Sequence, residues 1–355
     1  MRDSIRIVWI LVVSVFSVNL SGEPYFAVRT GFACSQCHVN PAGGGKRTAL
    51  GATCAQDQLS ARKLAGAEFL EGLSGKRLSV GTDFRYSASE FDSDFSSGDL
   101  SFDVDRASIY LSAELIPDKL TLYVDEQVAP GGAFSRELWA MYRFGKAYVK
   151  AGKMILPFGW RLEDDFAFTR ILTSINFESP DTGVEIGYAD GPWETHFAVS
   201  NGNGGATDNN AKKQFSFLGS YRTETWRLGA SVNYNETSNV DRLMTGVFAG
   251  LRTGKVAWLA EYDRIEDDIP GFGEIDQSAG LLEANIEVAK GHNLKFTLES
   301  QTSDIDKDFM RYSVLYEFSP IQYTQLRLGY RKWDNDAFGF FKDADQLFVQ
   351  LHVYY

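Results

Sequence analysis

Cysteine, positive charge and long hydrophobic runs are all scarce in this chain, and each scarcity excludes something. Three Cys in 355 residues cannot make a disulfide scaffold. Lys and Arg total 35 against 47 Asp and Glu, a net charge of -12, which argues against nucleic acid as a partner because phosphate needs a basic face. Beyond residue 20, no segment reaches the roughly eighteen uninterrupted apolar residues of a helical membrane span. The one apolar run, Ile7 to Leu20, follows the arginines of Met1 to Arg6 and precedes the small residues Ser21 and Gly22. That order predicts a secretory leader over residues 1–22, cleaved before Glu23, with an uncleaved anchor as the alternative.

What is abundant points elsewhere. Aromatic residues make up 14% of the chain and glycines number 33, while mean hydropathy is slightly negative. This profile suits a barrel with an aromatic girdle outside and a polar lumen inside. From about Lys76 to Tyr355, segments of alternating apolar and polar side chains follow one another, as in strands with one apolar face. Examples are Leu78, Val80, Thr82, Phe84 and Tyr86, then Trp193, Thr195, Phe197 and Val199, and last Leu347, Val349, Leu351, Val353 and Tyr355. Short turns at Ile116 to Lys119, Phe144 to Lys146, Ala189 to Pro192, Thr253 to Lys255 and Ser319-Pro320 take turns with longer polar loops. The count predicts about sixteen antiparallel strands, an even number that leaves both ends of the barrel on one side of a membrane. A soluble sandwich of many short strands is the competing reading; the alternation of turn and loop counts against it.

Between leader and strands stands Cys34-Ser35-Gln36-Cys37-His38. In C-x-x-C-H the two thiols add to haem vinyl groups and the adjacent histidine ligates the iron, so Cys34, Cys37 and His38 predict one covalent haem c and an electron-carrying role. Export of the chain agrees with attachment outside the cytoplasm. A zinc site from Cys34, Cys37, His38 and Cys54 is the alternative by ligand type, but adjacent Cys37 and His38 can hardly both turn to one tetrahedral ion. A Cys34–Cys37 disulfide leaves His38 unexplained, and Cys54 reads as a buried free thiol. The run Gly43 to Thr48 fails as a phosphate loop because Arg47 takes the hydroxyl position; its glycines instead let backbone approach the haem or the barrel wall. Arg29, Lys46 and Arg47 can neutralise haem propionates or serve as surface charges. Asp57 to Glu71 reads as a short helix capped by Asp57.

Ala147 to Phe158 (AYVKAGKMILPF) with Gly159, Asp105-Arg106-Ala107, and Gly183 to Gly204 resemble segments of the phosphate-selective O/P porins. Pro24 to Ala27 with Thr30 to Cys34 resembles the approach to the haem motif in fused monohaem cytochrome–porin proteins of outer membranes, some of which are iron oxidases. The resemblance implies an outer-membrane barrel of a Gram-negative bacterium, with the haem domain on the periplasmic side or inside the lumen as a plug. It further implies outer-membrane lipid and periplasmic cytochromes as partners, and extracellular Fe(II) as an electron donor. After His38 the run Asn40-Pro41-Ala42-Gly43-Gly44-Gly45 departs from the iron-oxidising members. The departure leaves two further readings beside an Fe(II)-oxidising electron-transfer protein: a porin component of an extracellular electron-transfer conduit, and a transport porin sensed or gated by haem.

The outer loops read as acidic, at Glu90, Asp92 and Asp94, Glu163 to Asp165, Glu266 to Asp268, Glu274 and Asp276, Asp304, Asp306 and Asp308, and Asp334 and Asp336. Such a mouth concentrates cations, or bridges divalent ions between lipid head groups. Residues 39–75 hold no methionine or histidine, so a sixth haem ligand would come from the barrel. Strand parity places His196, His352 and Met141 inward, while His292 falls at a turn. The predicted organisation is a leader over 1–22, a monohaem domain over 23–75 and an all-β, sixteen-stranded transmembrane barrel over 76–355.

Overall fold

The computed structural model describes residues 23–63, 77–93, 98–162, 164, 166–175, 179–205, 208, 210–237, 239–305, 308–335 and 343–355. The leader, the far half of the expected helix, and Asp94, Glu163, Asp165, Asp306 and Asp336 lie outside them.

The described residues form sixteen strands: β1 (Leu78–Asp92), β2 (Leu100–Ile116), β3 (Leu120–Ala129), β4 (Phe134–Phe144), β5 (Ala147–Met154), β6 (Asp181–Asp190), β7 (Trp193–Ser200), β8 (Gln214–Arg222), β9 (Trp226–Glu236), β10 (Asp241–Thr253), β11 (Val256–Ile269), β12 (Gly273–Ala289), β13 (His292–Ser303), β14 (Phe309–Phe318), β15 (Thr324–Asn335) and β16 (Asp345–Tyr354). Each pairs antiparallel with its sequence neighbours, and β1 pairs with β16 from Asp83↔Tyr354 to Asp92↔Asp345, closing the sheet. Closure satisfies the backbone ladder without an edge strand, the requirement for strands in lipid. The expected count and the short turns are therefore realised.

Parity sorts the side chains as the alternation predicts. On β7, Trp193 and Phe197 are 55% and 43% exposed, whereas Glu194, His196, Ala198 and Ser200 are buried. The inward face is polar and internally paired, for example Lys150 Nζ with Glu185 Oε2 at 2.8 Å and Arg85 with Asp83 at 2.9 Å. An apolar exterior over a charge-paired interior is the inverse of a water-soluble fold.

Among the described residues, four short helices accompany the barrel: α1 (Pro24–Thr30), α2 (Cys34–Cys37), α3 (Ala49–Cys54, continued by a π-helical turn Ala55–Leu59) and α4 (Phe168–Thr173) in the β5–β6 connection. Of the helix expected over Asp57 to Glu71, the described part is not an α-helix: Asp57 to Leu59 close a π-helical turn that continues α3, where Thr48 Oγ1 accepts from Gly51 N at 3.1 Å, and Ser60 is extended. Asp57 falls inside the π turn and pairs with Lys63 instead of capping.

Residues 23–63 contact inward-facing side chains at many points. Glu23 accepts from Lys295 Nζ at 2.8 Å and Arg327 Nη2 at 2.9 Å, and Tyr25 donates to Glu317 at 3.1 Å. Tyr25 and Val28 share an apolar cluster with Trp160, Leu162, Phe248, Leu259 and Leu281. Asn40 Nδ2 donates to Glu137 at 2.9 Å, and Tyr123 Oη accepts from Lys46 N at 2.9 Å. The segment leaves along the β14–β15 turn, with Ala61 N bonded to Ser319 O at 2.7 Å and Arg62 N to Pro320 O at 3.0 Å.

The reading of the acidic groups as loops needs revising. Glu90, Asp92, Glu266, Asp267, Asp268, Glu274, Asp276 and Asp334 are strand residues, because the ladders of β1, β11, β12 and β15 continue through them. Several are neutralised locally. Arg242 forms a fork on Asp267 at 2.6 and 2.7 Å, Arg264 reaches Glu266 at 2.6 Å and Asp276 at 3.1 Å, and Asp164 joins Arg311 and Arg331 at 2.8 and 3.0 Å.

Candidate functional site

The Cys34-to-His38 motif forms a single turn, α2, because Gln36 folds back to accept from Ala33 N at 2.8 Å and His38 N closes onto Cys34 O at 2.9 Å. The chain then doubles back. His38 bridges Arg47, Val39 N bonds Lys46 O at 3.0 Å, and Thr48 N bonds Cys37 O at 2.9 Å. Gly43, Gly44 and Gly45 make the bend with φ of 92°, 71° and 63°, a left-handed run that side chains disfavour. A Cβ on Gly45 would sit 2.0 Å from Tyr123 Oη and one on Gly43 3.4 Å from Cys34 Cβ, so the glycines do bring backbone to the wall and to the motif.

Cys34, Cys37 and His38 all line one cavity that opens to solvent. Its other walls are Ile155, Leu156 and Phe158 from the β5–β6 connection, and Leu218 and Phe248 from the barrel. Burial, then the neighbouring Cys54 and Cys34, push the Cys37 thiol up to about 11. Cys34 Sγ lies 3.5 Å from Arg227 Nη1, and Arg227 donates to Glu194 at 2.5 Å.

These residues fit a c-type haem. Two thiols on one turn and the following imidazole open onto a common space, its walls are largely apolar, and Gly43 leaves room beside Cys34. Arg47, Arg161 and Arg227 line the space and suit propionates. Of the three cations singled out from sequence, Arg47 is the one at the cavity. Arg29 turns to Asn293 Oδ1 at 3.0 Å, and Lys46 lies over the Tyr355 ring at 4.6 Å.

The three inward candidates for a sixth ligand separate cleanly. His196 lines the cavity. His352 is fully buried against Asp83, its Nε2 3.1 Å from Oδ1, and does not line it. Met141 packs in the cluster of Tyr123, Trp139 and Tyr148, also away from it. Sequence reasoning did not single out Arg227 or Arg161. The alternation marks Arg227 inward between Trp226 and Leu228, whereas nothing local signals the folding of 155–162 against residues 23–63.

No family model and no curated protein matches the chain. Solved structures do match in fold. OmpT of Vibrio cholerae aligns with TM-score 0.61 at 13% identity over 78% of this chain and 97% of that one. The anion-selective porin from Comamonas acidovorans gives 0.60 at 12% over 78% and 98%. The outer membrane channel DcaP of Acinetobacter baumannii gives 0.60 at 10% over 84% and 100%. At such identities the likeness establishes the architecture: this chain has the closed sixteen-stranded barrel of the porins.

Proposed function

We propose that the protein is an outer-membrane barrel of a Gram-negative bacterium that carries one covalent haem c on Cys34, Cys37 and His38, and that it moves electrons through this haem. Residues 23–63 act as a plug held in the lumen. The observation that carries the reading is the shared cavity, which gathers both thiols, the His38 imidazole and a barrel histidine within the fold. The hydrocarbon core is about 30 Å thick, so a single haem does not reach both faces. Either a small reductant such as Fe(II) enters the lumen, or periplasmic cytochromes and a second partner meet the haem from its two sides.

A transport porin with a haem segment that senses or gates is the second reading, and the fold likeness supports it more directly than it supports electron transfer. Its structural support is a second open space lined by Arg85, Arg106, Lys295, Arg311, Arg327 and Arg331 with Asp103, Asp105, Asp164 and Glu283. Mixed charge of this kind suits passage of hydrated solutes.

Thioether bonds survive denaturation, so protein from a host competent in c-type maturation should keep a peroxidase-active haem band through denaturing electrophoresis. Cys34→Ala or Cys37→Ala should lose most of it, and Cys54→Ala should retain it. A stable, haem-free product from that host would overturn the haem reading and leave the transport porin.

A further inference from the structure

The reading above leaves the second axial position of the iron without an owner, and one side chain is built to take it. His196 on β7 is 6% exposed and lines the cavity of the haem motif. Its Nδ1 lies 2.7 Å from Tyr148 Oη, and the Tyr148 hydroxyl donates to Glu185 Oε1 at 2.5 Å. Lys150 Nζ stands 2.8 Å from the other oxygen of Glu185, which favours the acceptor-only carboxylate. With its single proton committed to Glu185, the Tyr148 oxygen can only accept from His196. The ring proton of a neutral His196 therefore sits on Nδ1, and the lone pair on Nε2.

A metal-binding imidazole needs this arrangement, one N–H anchored to an oxygen and the other nitrogen bare. The hydrogen bond and the ion-pair contact of His196 are both made through Nδ1, and Nε2 has no hydrogen-bond partner among the described residues. His352 shows the opposite disposition, with Nε2 turned to Asp83. Position agrees with chemistry. Cys34 Sγ reaches Arg227, Arg227 reaches Glu194, and Glu194 is two residues from His196 on the same inward face, about 6.6 Å along a strand.

We propose that His196 Nε2 is the second axial ligand of the haem carried by Cys34, Cys37 and His38, an assignment that rests on the haem reading above. Its orienting shell extends back to the haem segment, since Lys150 Nζ also lies 3.4 Å from Asn40 Oδ1, two residues past His38. One hydrogen-bonded set thus ties the wall that orients His196 to the segment that carries His38.

The test uses the purified holoprotein and its ferric spectrum. The parent should be six-coordinate and low-spin with two imidazoles. His196→Ala should become high-spin and return to low-spin on addition of imidazole, with the covalent haem band unchanged. His196→Met keeps a ligand of similar size and should stay low-spin with a raised reduction potential, as thioether ligation does. That variant decides the matter if the alanine form does not fold. A low-spin spectrum unaltered in His196→Ala, or a potential unaltered in His196→Met, overturns the assignment while the haem reading stands. Absence of covalent haem in the parent overturns both.

Discussion

Glu23 places one carboxylate between two cations that lie some three hundred residues away in sequence. Lys295 and Arg327 are each about nine-tenths buried, as is Glu23 itself. Removing one member of a buried ion pair leaves uncompensated charge and costs about 3–5 kcal/mol. The loss falls on the docking of residues 23–63, because the barrel ladder does not pass through Glu23. Glu23→Gln should therefore loosen the segment by about 3 kcal/mol, raising tryptic cleavage at Arg29, Lys46 or Arg47 about a hundredfold where cleavage follows local opening. Digestion followed by mass spectrometry measures this, and an unchanged rate would mean that the pair does not anchor the segment. Nothing in the local sequence marks Glu23 for this role. Its partners are set by the closure of the barrel, and a lone glutamate after an apolar run looks like any solvated charge.

The β5–β6 connection folds into the barrel and lines both of its interior spaces. It is fastened inside by Ser216 Oγ donating to Pro157 O at 2.6 Å, Gly159 N to Ser231 Oγ at 2.9 Å and Phe168 N to Glu299 at 2.9 Å. Asp164 adds the charged clasp to Arg311 and Arg331. Burial pushes the Asp164 carboxyl up, yet the two guanidiniums outweigh it and hold the group well below the usual carboxylate range. A carboxyl with a depressed folded-state value stabilises above its ordinary value, about 3.9, and that contribution is lost as pH falls below it. Conductance in planar bilayers should accordingly stay constant from pH 7 to about 4.5 as far as this clasp is concerned. Asp164→Asn should give at neutral pH the noisier, larger openings of a released loop. Quiet openings of parental size in the variant would show that the backbone bonds alone hold the element. Here the sequence is half legible. The strand up to Met154 and the Pro157-Phe158-Gly159 break are visible, because alternation stops and proline and glycine punctuate. The inward path is not, since it depends on Ser216, Ser231 and Glu299 from distant strands. The same limit governs the residues around the Cys34-to-His38 turn: period two tells which of His196, His352 and Met141 face inward, but not which of them shares a cavity with His38.

At the scale of the whole molecule, residues 23–63 and the β5–β6 connection together divide the barrel interior into two unlike spaces. One is mainly apolar and holds the haem motif beside β7 to β10; the other is strongly charged and runs along β1, β2 and β12 to β16. The dividing segment adds no strand to the sheet, whose hydrogen bonds run from β1 through β16 and back without it. Folding of the barrel and subdivision of its interior are therefore separable. Joining residue 22 directly to residue 64 should leave a protein that still inserts and still shifts its electrophoretic mobility on heating, the mark of a closed sheet. Its interior would lose the ion pairs of Glu23 and the bonds of Tyr25 and Asn40, all lumen-side contacts that water can replace. Single-channel conductance should then rise several-fold over the parent, because the space now taken by residues 23–63 becomes water. A heat-modifiable variant whose conductance matches the parent would show that current already bypasses the segment through the charged space. Such a result would separate the transport reading from the electron-carrying one, since the first needs that space open and the second needs only the haem cavity.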